Sequence, residues 1–471
     1  MKKTLKIDPV TRIEGHAKVY INLDESGKLE NAGLVVNELR GFEKILIGME
    51  ADRMPHITAR ICGVCPTAHH LAACDALDRA AGVTPPPAAL LLRELMYLGH
   101  LIHSHSLSIF VLQGPDLVLG LDSDPASRNI VGIVQANPEL ARIALRLRTI
   151  GQKINEMVGG RGTHPVTSVA GGIAFTLDQE KEKALKEWVD EARGLLPAVV
   201  PAVKGLLLRA LELHPAMGAE WVVPSWAMGT VKDDAVSLIG GRLRVIDETG
   251  ATRLEFGIEE YDKYLLESVV DWSYMKKVGI NLEGGLHDYR VGPMARMNVA
   301  RRFGTELADA ELAEFTALGG WPCHTTVFQT YAKLIEIVWA IERAGEIVKD
   351  KAIHGETRIP VRFKGGRGVG HVEAPRGTLI HDYQIDERGI VRAANLIVAT
   401  QQNYAIINRS IEQAARSHVI DRPDDRALMN AVEFSIRCYD PCLSCATHAV
   451  GRMPLEIAIS RGGDAVRTVR R

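Results

Sequence analysis

Two cysteine pairs at distant positions carry the strongest chemical signal in the sequence. Cys62 and Cys65 form one C-x-x-C, Cys442 and Cys445 form another, and a histidine follows each pair closely. This spacing lets both sulfurs of a loop point at one centre, and four thiolates select soft metals. On spacing alone the set suits zinc, nickel or an iron–sulfur cluster. Structural zinc is the simplest interpretation, but zinc ribbons are usually small modules, whereas these pairs bracket most of the chain.

Composition limits the class of protein. The chain has 471 residues, of which 46% are hydrophobic and 24% charged, so a packed core is available. A formal net charge of −2 gives no basic face for nucleic acid. Seven cysteines are too few for a disulfide scaffold and favour metal or redox chemistry in a reducing compartment. We expect no Sec or Tat signal in the polar N-terminus and no membrane span, since no run reaches 18 apolar residues.

The elements that must bring the pairs together are predicted to be mostly helical. Residues 2–37 alternate apolar and polar side chains, which predicts strands, and residues 241–257 predict a hairpin around Thr249-Gly250. The first helical pattern follows Pro85-Pro86-Pro87 and runs through Gln113, where Gly114-Pro115 should stop the helix. Further helical patterns cover 138–158, the residues after Thr176, its expected cap, to about 193, 326–349 and 402–417. We predict one large domain over residues 1–471, of the α+β class and mostly α, with long core helices and peripheral strands.

The residues around the cysteines resemble the paired signatures of nickel–iron hydrogenase large subunits. Residues 60–69 read R-x-C-G-x-C-x-x-x-H, and residues 440–448 read D-P-C-x-x-C-x-x-H. Further similar segments follow in the family's order: Arg12-Ile13-Glu14-Gly15-His16, Arg40-Gly41-Phe42-Glu43, Gly160-Arg161-Gly162-Thr163-His164-Pro165 and Glu373-Ala374-Pro375-Arg376-Gly377. The signal-free form resembles the cytoplasmic members, which pair with nicotinamide-reducing, deazaflavin-reducing or heterodisulfide-reductase-linked partners.

The resemblance implies a nickel ion bound by four thiolates, two of which bridge to an iron that holds CO and cyanide. Cys62 and Cys442 match the terminal nickel ligands, and Cys65 and Cys445 match the bridging ones. A terminal thiolate keeps a free lone pair, so H2 can split heterolytically with the proton going to sulfur. We expect Cys442 to be that base.

Glu14 is the next expected stop for the proton, because a carboxyl group can accept and release it. From the sequence alone, Glu14 is equally a surface carboxylate beside Arg12. The resemblance gives Arg376, with Pro375 before it, the position above the open metal site, where a guanidinium offsets the anionic cluster and donates to cyanide. Thr400 matches a second cyanide donor, although it also suits a strand.

Two further roles follow from the resemblance. Glu43, the carbonyl of Leu396 and His448 match a magnesium site behind the cluster, with iron as a possible substitute because histidine is an unusual magnesium ligand. The alternative for Glu43 is a helix-face carboxylate paired with a neighbouring Lys44 or Arg40. His69 is expected to orient a cluster thiolate through an N–H···S contact.

Several residues have no such role. Ser104 stands where many family members have an aspartate, which is a departure from the pattern, and His70 has no assigned role. The cysteines outside the pairs are expected to be small buried hydrophobes: Cys74, Cys323 and Cys438.

Residues 449–471 continue past the last motif, and the family's chain is cut after the final histidine once nickel is in place. A maturation endopeptidase is therefore an expected partner, and the sequence resembles the uncut precursor. The alternative for this segment is a permanent C-terminal strand at 455–459.

The remaining partners follow from electron transfer. No further cysteine cluster is present, so electrons must leave through an iron–sulfur small subunit, with an expected interface on the order of 2,000 Å² or more, and then through flavin/NAD or heterodisulfide-reductase-type subunits. The main hypothesis is a catalytic hydrogenase subunit. The alternatives are a zinc-stabilised scaffold, an H2 sensor, which usually lacks the tail, and a quinone-binding subunit, which usually lacks the cysteines.

Overall fold

A computed structural model of the protein describes residues 3–421, 425–447, 456–461 and 464–470. The strands are β1 Lys3–Ile7, β2 Lys18–Leu23, β3 Leu29–Val35, β4 Ser168–Val169, β5 Gly172–Ile173, β6 Trp226–Lys232, β7 Ala235–Val236, β8 Arg242–Ile246, β9 Thr252–Phe256, β10 Leu265–Val270, β11 Ser273–Leu282, β12 Gly285–His287, β13 Tyr289–Arg290, β14 Gly366–Ala374, β15 Gly377–Ile385, β16 Val391–Ile397, β17 Glu456–Arg461 and β18 Asp464–Arg470.

The α-helices are α1 Phe42–Leu46, α2 Met54–Thr58, α3 Pro66–Ala81, α4 Pro87–Ser106, α5 Gly114–Leu119, α6 Ile130–Ala136, α7 Pro138–Gly159, α8 Gln179–Leu213, α9 Ala216–Ala219, α10 Tyr261–Tyr264, α11 Pro293–Ala300, α12 Glu306–Gly319, α13 Gln329–Ile347, α14 Ala399–Gln402, α15 Tyr404–Asp421, α16 Asp425–Tyr439 and α17 Leu443–Ala446. A π-helical segment, Leu107–Gln113, joins α4 to α5. Short 3-10 segments lie at Ala51–Arg53, Ala59–Ile61, Ile258–Glu260, Thr326–Phe328 and Lys351–His354.

Strands and helices agree well with the sequence predictions. Strands β1, β2 and β3 form an antiparallel sheet in the first 37 residues, and β8 and β9 form the predicted hairpin. Helices α7, α13 and α15 fall within a few residues of their predicted ranges. The predicted α+β class, mostly α, is confirmed. The C-terminal strands β17 and β18 pair with each other, so the strand expected as the alternative for the tail is present.

Three helix ends were predicted wrongly. Gly114-Pro115 does not stop the first long helix, which continues to Leu119 through the π-helical segment. Pro115 falls in the first turn of the new α-helical register, where its missing N–H is not needed. Helix α8 starts after Asp178, whose side chain caps Lys181, and not at Thr176. It runs 20 residues past Arg193, because its buried side chains keep a helical spacing through both internal prolines.

A central three-stranded antiparallel sheet, β14-β15-β16, divides the interior into two hydrophobic clusters. Leu379 and Tyr383 face the larger cluster, whereas Ile380 on the opposite face of β15 belongs to the smaller one. Helix α3 packs directly on this sheet. At Gly370 of β14 an added Cβ would lie 2.2 Å from the backbone nitrogen of Ala76, so the close approach of α3 requires a glycine there.

Two helical stretches, Pro87–Leu119 and Gln179–Leu213, are long and apolar enough to cross a membrane by length and composition. The most apolar window of the first is 78% buried inside the protein, as in a core helix, and that of the second is 22% buried. Core helices of soluble proteins pass the same test, so these criteria alone do not identify a membrane protein.

Candidate metal centre

The first cysteine loop is short and held by its own backbone. Cys62 follows the 3-10 segment Ala59–Ile61, and Cys65 immediately precedes α3, whose first residue is a proline. The backbone N–H groups of Val64 and Cys65 donate to Cys62 Sγ at 3.2 and 3.3 Å. Such donors stabilise a thiolate. The pKa of Cys62 is lowered well below its usual value, chiefly by hydrogen bonding with the neighbouring cysteine sulfurs.

The second loop is tied to the N-terminal segment. Cys442 precedes α17 and pairs with Glu14 in a parallel β-bridge, and the carbonyl of Glu14 accepts the N–H of Leu443 at 3.1 Å. Gly15 has a positive φ of 81°, and an added Cβ would lie 2.9 Å from Leu443 Cβ. The glycine of the R-I-E-G-H segment therefore allows the two loops to touch. The end of α17 is held as well, since the carbonyl of Thr447 accepts the N–H groups of Arg40 and Gly41.

The four sulfurs of the two loops converge. Sγ–Sγ distances are 3.2 Å for Cys62–Cys442, 3.3 Å for Cys65–Cys445, 2.9 Å for Cys442–Cys445 and 4.0 Å for Cys65–Cys442. All four cysteines are free and buried, and their sulfurs lie within 4.8 Å of one another. Sulfurs bound at about 2.3 Å to one ion lie roughly 3–5 Å apart, so the set fits a single metal with four thiolate ligands.

Burial makes a metal the natural counter-charge for these sulfurs. Burial raises the pKa values of Cys442 and Cys445 well above the usual range, and contact with the other cysteine sulfurs contributes to the shift. Four buried thiolates without a cation are therefore strongly disfavoured. A bound divalent metal removes that penalty because coordinating thiols lose their protons.

Glu14 lies against the cluster. Its Oε2 is 3.0 Å from Cys442 Sγ and accepts the N–H of Ser444 at 3.0 Å. The side chain is half-buried, so one end of the carboxylate faces the sulfur and the residue also reaches towards solvent. This geometry differs from that of a surface carboxylate paired with Arg12, which instead donates to Asp116 at 2.6 Å.

Arg376 occupies the tip of a two-residue hairpin. Pro375 and Arg376 connect β14 to β15, in which Ala374 pairs with Gly377. The guanidinium is 4% exposed and bonds to Asp440 just before the second loop, at 3.0 Å for Nη2. Burial alone would lower its pKa, but Asp440 and the cysteine sulfurs raise it well above the usual value. Arg376 therefore stays cationic beside the sulfurs.

A small cavity lies between Arg376 and the cysteines. Its other walls are mostly apolar, from Leu379, Val398 and Ala399. Among the described residues, Arg376 Nη1 is buried without a hydrogen-bond partner, so a donor is left for a group in this region. Thr400 also lines the cavity, and its Oγ1 accepts the N–H of Cys442 at 2.9 Å. A hydroxyl that accepts one hydrogen bond can still donate another.

His69 contacts the cluster from α3. Its Nε2 lies 3.3 Å from Cys445 Sγ, in agreement with the predicted contact with a cluster sulfur. His70, the next residue, points elsewhere. One ring nitrogen lies 3.0 Å from the Pro55 carbonyl and the other accepts the N–H of Ser168, so His70 is a neutral structural residue. Burial lowers its pKa to about 3.

Comparison with known proteins agrees with this geometry. A family model described as "Nickel-dependent hydrogenase" matches residues 40–130 and 282–448, more than half of the chain, and a model described as "HoxL-like" matches residues 4–39. A vhu subunit of an F420-non-reducing hydrogenase from Methanococcus voltae is 42% identical over 87% of this chain and 98% of its own length. The beta subunit of the NAD-reducing hydrogenase HoxS from Cupriavidus necator is 38% identical over 98% of this chain and 97% of its own.

The chain belongs to the nickel-dependent hydrogenase family. It is thus an oxidoreductase that acts on H2, and the resemblance noted in the sequence is confirmed. Its fold matches a solved NAD+-reducing [NiFe]-hydrogenase with a TM-score of 0.90 at 37% identity, covering 95% of this chain and 99% of that one. A Ni-Fe-Se hydrogenase from D. vulgaris Hildenborough shares the fold, with a TM-score of 0.77 at 23% identity over 95% and 100% of the chains.

In this hydrogenase two of the three residues predicted to bind magnesium, Glu43 and Leu396, are in contact. Glu43 of α1 lies beside β16, where its Oε1 accepts the backbone N–H of Leu396 at 2.8 Å. Arg40, one of the two alternative partners of Glu43, donates to the Ile61 carbonyl. His448 lies outside the described residues, so its place in this site stays a prediction.

The residues without an assigned role are buried. Cys74, Cys323 and Cys438 lie in the core as predicted, and burial raises their pKa values to about 12, 11 and 12. Ser104 is fully buried, and its Oγ has no partner among the described residues, so it supplies no acid at this position. The neighbouring His105 bonds at 2.7 Å to buried Glu336.

Two buried ionic clusters that support the hydrogenase site were not predicted from the sequence. Asp116 is surrounded by three arginines and anchors the segment before Glu14: Arg12, Arg128 and Arg437. Arg296 bonds to Glu336 and to Glu373, which precedes the Arg376 turn. Glu373 also accepts from Thr230 and Thr378. The sequence signals were Arg12 and Glu373, each in a family-like segment, because single charges elsewhere are typical of surface positions.

Proposed function

We propose that the chain is the catalytic large subunit of a nickel–iron hydrogenase and catalyses H2 ⇌ 2H⁺ + 2e⁻. The observation that carries the proposal is the convergence of four free, buried cysteine sulfurs within 4.8 Å of one another. Membership of the nickel-dependent hydrogenase family favours nickel over structural zinc as the metal bound by these four sulfurs. We further propose that residues 1–471 form one large-subunit domain.

The residues of the cavity fit a nickel–iron pair. Cys62 and Cys442 would hold nickel as terminal ligands, and Cys65 and Cys445 would bridge to an iron that carries CO and cyanide. The apolar walls, the unpartnered Arg376 Nη1 and the Thr400 hydroxyl suit small diatomic ligands that accept hydrogen bonds. When bound, such a metal pair polarises H2 and takes up its electrons.

The chain's own part in catalysis is to move the proton. Cys442 Sγ would receive it, because this sulfur lies 3.0 Å from Glu14 Oε2, within reach for direct transfer. The Ser444 N–H donates to the same oxygen at 3.0 Å and so holds the carboxylate in place. Arg376 would keep a fixed positive charge beside the sulfurs.

A second metal is proposed behind the cluster. Glu43, the Leu396 carbonyl and His448 would bind magnesium, or iron in its place. Glu43 and Leu396 already lie in contact, at the end of β16 that leads into Thr400. This ion would hold the end of the second cysteine loop against the sheet.

Electrons must leave through another polypeptide. All cysteines outside the four are single buried residues, so this chain has no cysteine set for an iron–sulfur cluster. We propose an iron–sulfur small subunit near the cysteine loops. We also propose further flavin/NAD or heterodisulfide-reductase-type subunits, since one relative is named an NAD-reducing hydrogenase. We also propose a cytoplasmic location and removal of residues 449–471 by a maturation endopeptidase.

Elemental analysis of the purified, matured protein tests the proposal. We expect about one nickel per chain together with iron, and H2-dependent reduction of an artificial electron acceptor. Cys442→Ser should lose nickel and turnover, whereas Cys438→Ser, a buried cysteine outside the cluster, should keep both. Zinc in place of nickel in the wild-type protein would favour the scaffold interpretation, and nickel without turnover would favour the sensor.

A further inference from the structure

A row of three buried side chains leads away from the sulfur of Cys445. His69 Nε2 is 3.3 Å from Cys445 Sγ, His69 Nδ1 is 3.1 Å from His381 Nε2, and His381 Nδ1 is 2.7 Å from Tyr383 Oη. His69 is 1% exposed, and His381 and Tyr383 are 0% exposed. Because these side chains are buried, their polar atoms form hydrogen bonds with one another. The position of each proton therefore depends on that of the neighbouring side chain.

The fold places these residues for a simple reason. His381 and Tyr383 are two residues apart on β15, so both point to the face on which α3 packs. His69 lies on α3, four residues after Cys65. The glycine at 370 lets α3 approach the sheet closely enough for the two imidazoles to meet.

The direction of each hydrogen bond follows from the sulfur. A metal-bound thiolate carries no proton and only accepts, so His69 must present Nε2–H to Cys445. The Nδ1 of a neutral His69 then accepts from Nε2–H of His381. The Nδ1 of a neutral His381 accepts in turn from the hydroxyl of Tyr383. Burial raises the pKa of Tyr383 well above its usual value, which keeps this hydroxyl protonated.

We propose that Tyr383 and His381 are positioning residues that hold His69 in the Nε2–H tautomer and so maintain a hydrogen bond on the Cys445 sulfur. The inference rests on the proposed function, in which Cys445 is a metal-bound thiolate. Hydrogen bonds to sulfur ligands withdraw electron density and raise the reduction potential of the metal. Tyr383 therefore influences nickel without touching it, through two rings and one sulfur.

The test uses the nickel-loaded complex and measures the midpoint potential of nickel by electron paramagnetic resonance during a redox titration. Tyr383→Phe removes the hydroxyl alone, and we expect unchanged nickel content with a potential shifted to more negative values. Tyr261→Phe is the matched control, because its buried hydroxyl bonds to Asp382 on the opposite face of the same strand. The control should keep the wild-type potential.

A pair of variants at His381 provides an independent measurement. His381→Gln keeps an N–H donor for His69 Nδ1 regardless of Tyr383, so we expect a potential near the wild-type value, also when combined with Tyr383→Phe. His381→Leu removes the donor and should shift the potential as Tyr383→Phe does. If Tyr383→Phe does not fold, the two His381 variants still test the inference.

The outcomes separate this inference from the proposed function. A wild-type complex that binds no nickel would overturn the proposed function. Nickel-containing Tyr383→Phe and His381→Leu proteins with the wild-type potential would overturn the tautomer inference alone. A shift of equal size in Tyr261→Phe would do the same, because it would trace the effect to loss of any buried hydroxyl.

Discussion

Replacing Glu14 by glutamine should separate proton transfer from metal binding. The amide has the shape of the carboxylate, and its oxygen can still accept the N–H of Ser444. It cannot take a proton from Cys442 Sγ at 3.0 Å. We therefore expect Glu14→Gln to retain its nickel and to lose exchange of H2 with deuterium from solvent.

The size of the loss follows from the contacts. A positioned acid–base group contributes typically about 10²–10⁴-fold to a rate, and Glu14 is the carboxyl group in contact with the cluster, so exchange should fall by about that factor. The half-buried Ser444 hydrogen bond survives, so the free energy of unfolding should change by about 1 kcal/mol or less. A large rate effect with a small stability effect is the expected signature.

The assay is mass-spectrometric H2–D2O exchange on protein of known nickel content. Glu38→Gln is a suitable control, because this carboxylate lies in the same region and pairs with exposed His16, away from the cysteines. Wild-type exchange in a fully metallated Glu14→Gln protein would remove Glu14 from the route. Loss of nickel in that variant would instead show that the carboxylate acts in binding the metal.

Three further outcomes are expected. Asp116→Asn should lower the free energy of unfolding by about 3–5 kcal/mol in urea titrations, because it leaves three arginines around a buried neutral amide; a change below about 1 kcal/mol would contradict this. Because the folded-state pKa of His70 is about 3, below its unfolded value, its stabilising contribution is complete above about pH 6.5 and is lost as the pH falls towards 3. His70→Asn should thus reduce the acid dependence of stability by up to about 1.4 kcal/mol per pH unit, and an unchanged slope in urea titrations at several pH values would show that His70 protonates normally. Gly15→Ala places a Cβ 2.9 Å from Leu443 Cβ at a positive φ, which should lower the free energy of unfolding by about 1–3 kcal/mol. It should also slow H2–D2O exchange, because it displaces Glu14. Wild-type stability and exchange in this variant would contradict the close contact.

Local patterns in the sequence predicted much of the fold. Alternation identified the N-terminal sheet, and Thr249-Gly250 identified a hairpin, because these signals depend on neighbours in the chain. The cysteine spacing, with its surroundings, predicted that two distant loops share one site, and their sulfurs do meet. In the structure Glu14 contacts Cys442, and Arg376 lines the cavity beside the cysteines.

What the sequence could not show depends on tertiary contacts. Gly114-Pro115 is a strong local stop signal, yet the helix continues because core packing supports a π-helical segment before it. The contact between His69 and His381 joins residues 312 positions apart, and no local pattern predicts which strand faces α3. Asp116 reads as a solvent-facing carboxylate until three arginines from other segments surround it.

The separation of the two cysteine pairs also has a consequence for biosynthesis. Cys62 and Cys442 are 380 residues apart. A ribosome adds residues at about 5–20 per second, so the first thiols emerge on the order of 20–80 s before their counterparts exist. During that interval the nascent chain carries only two of the four thiolate ligands. A metal bound at that stage would have too few ligands from the protein. The complete metal centre can therefore form only after the second cysteine pair has been translated.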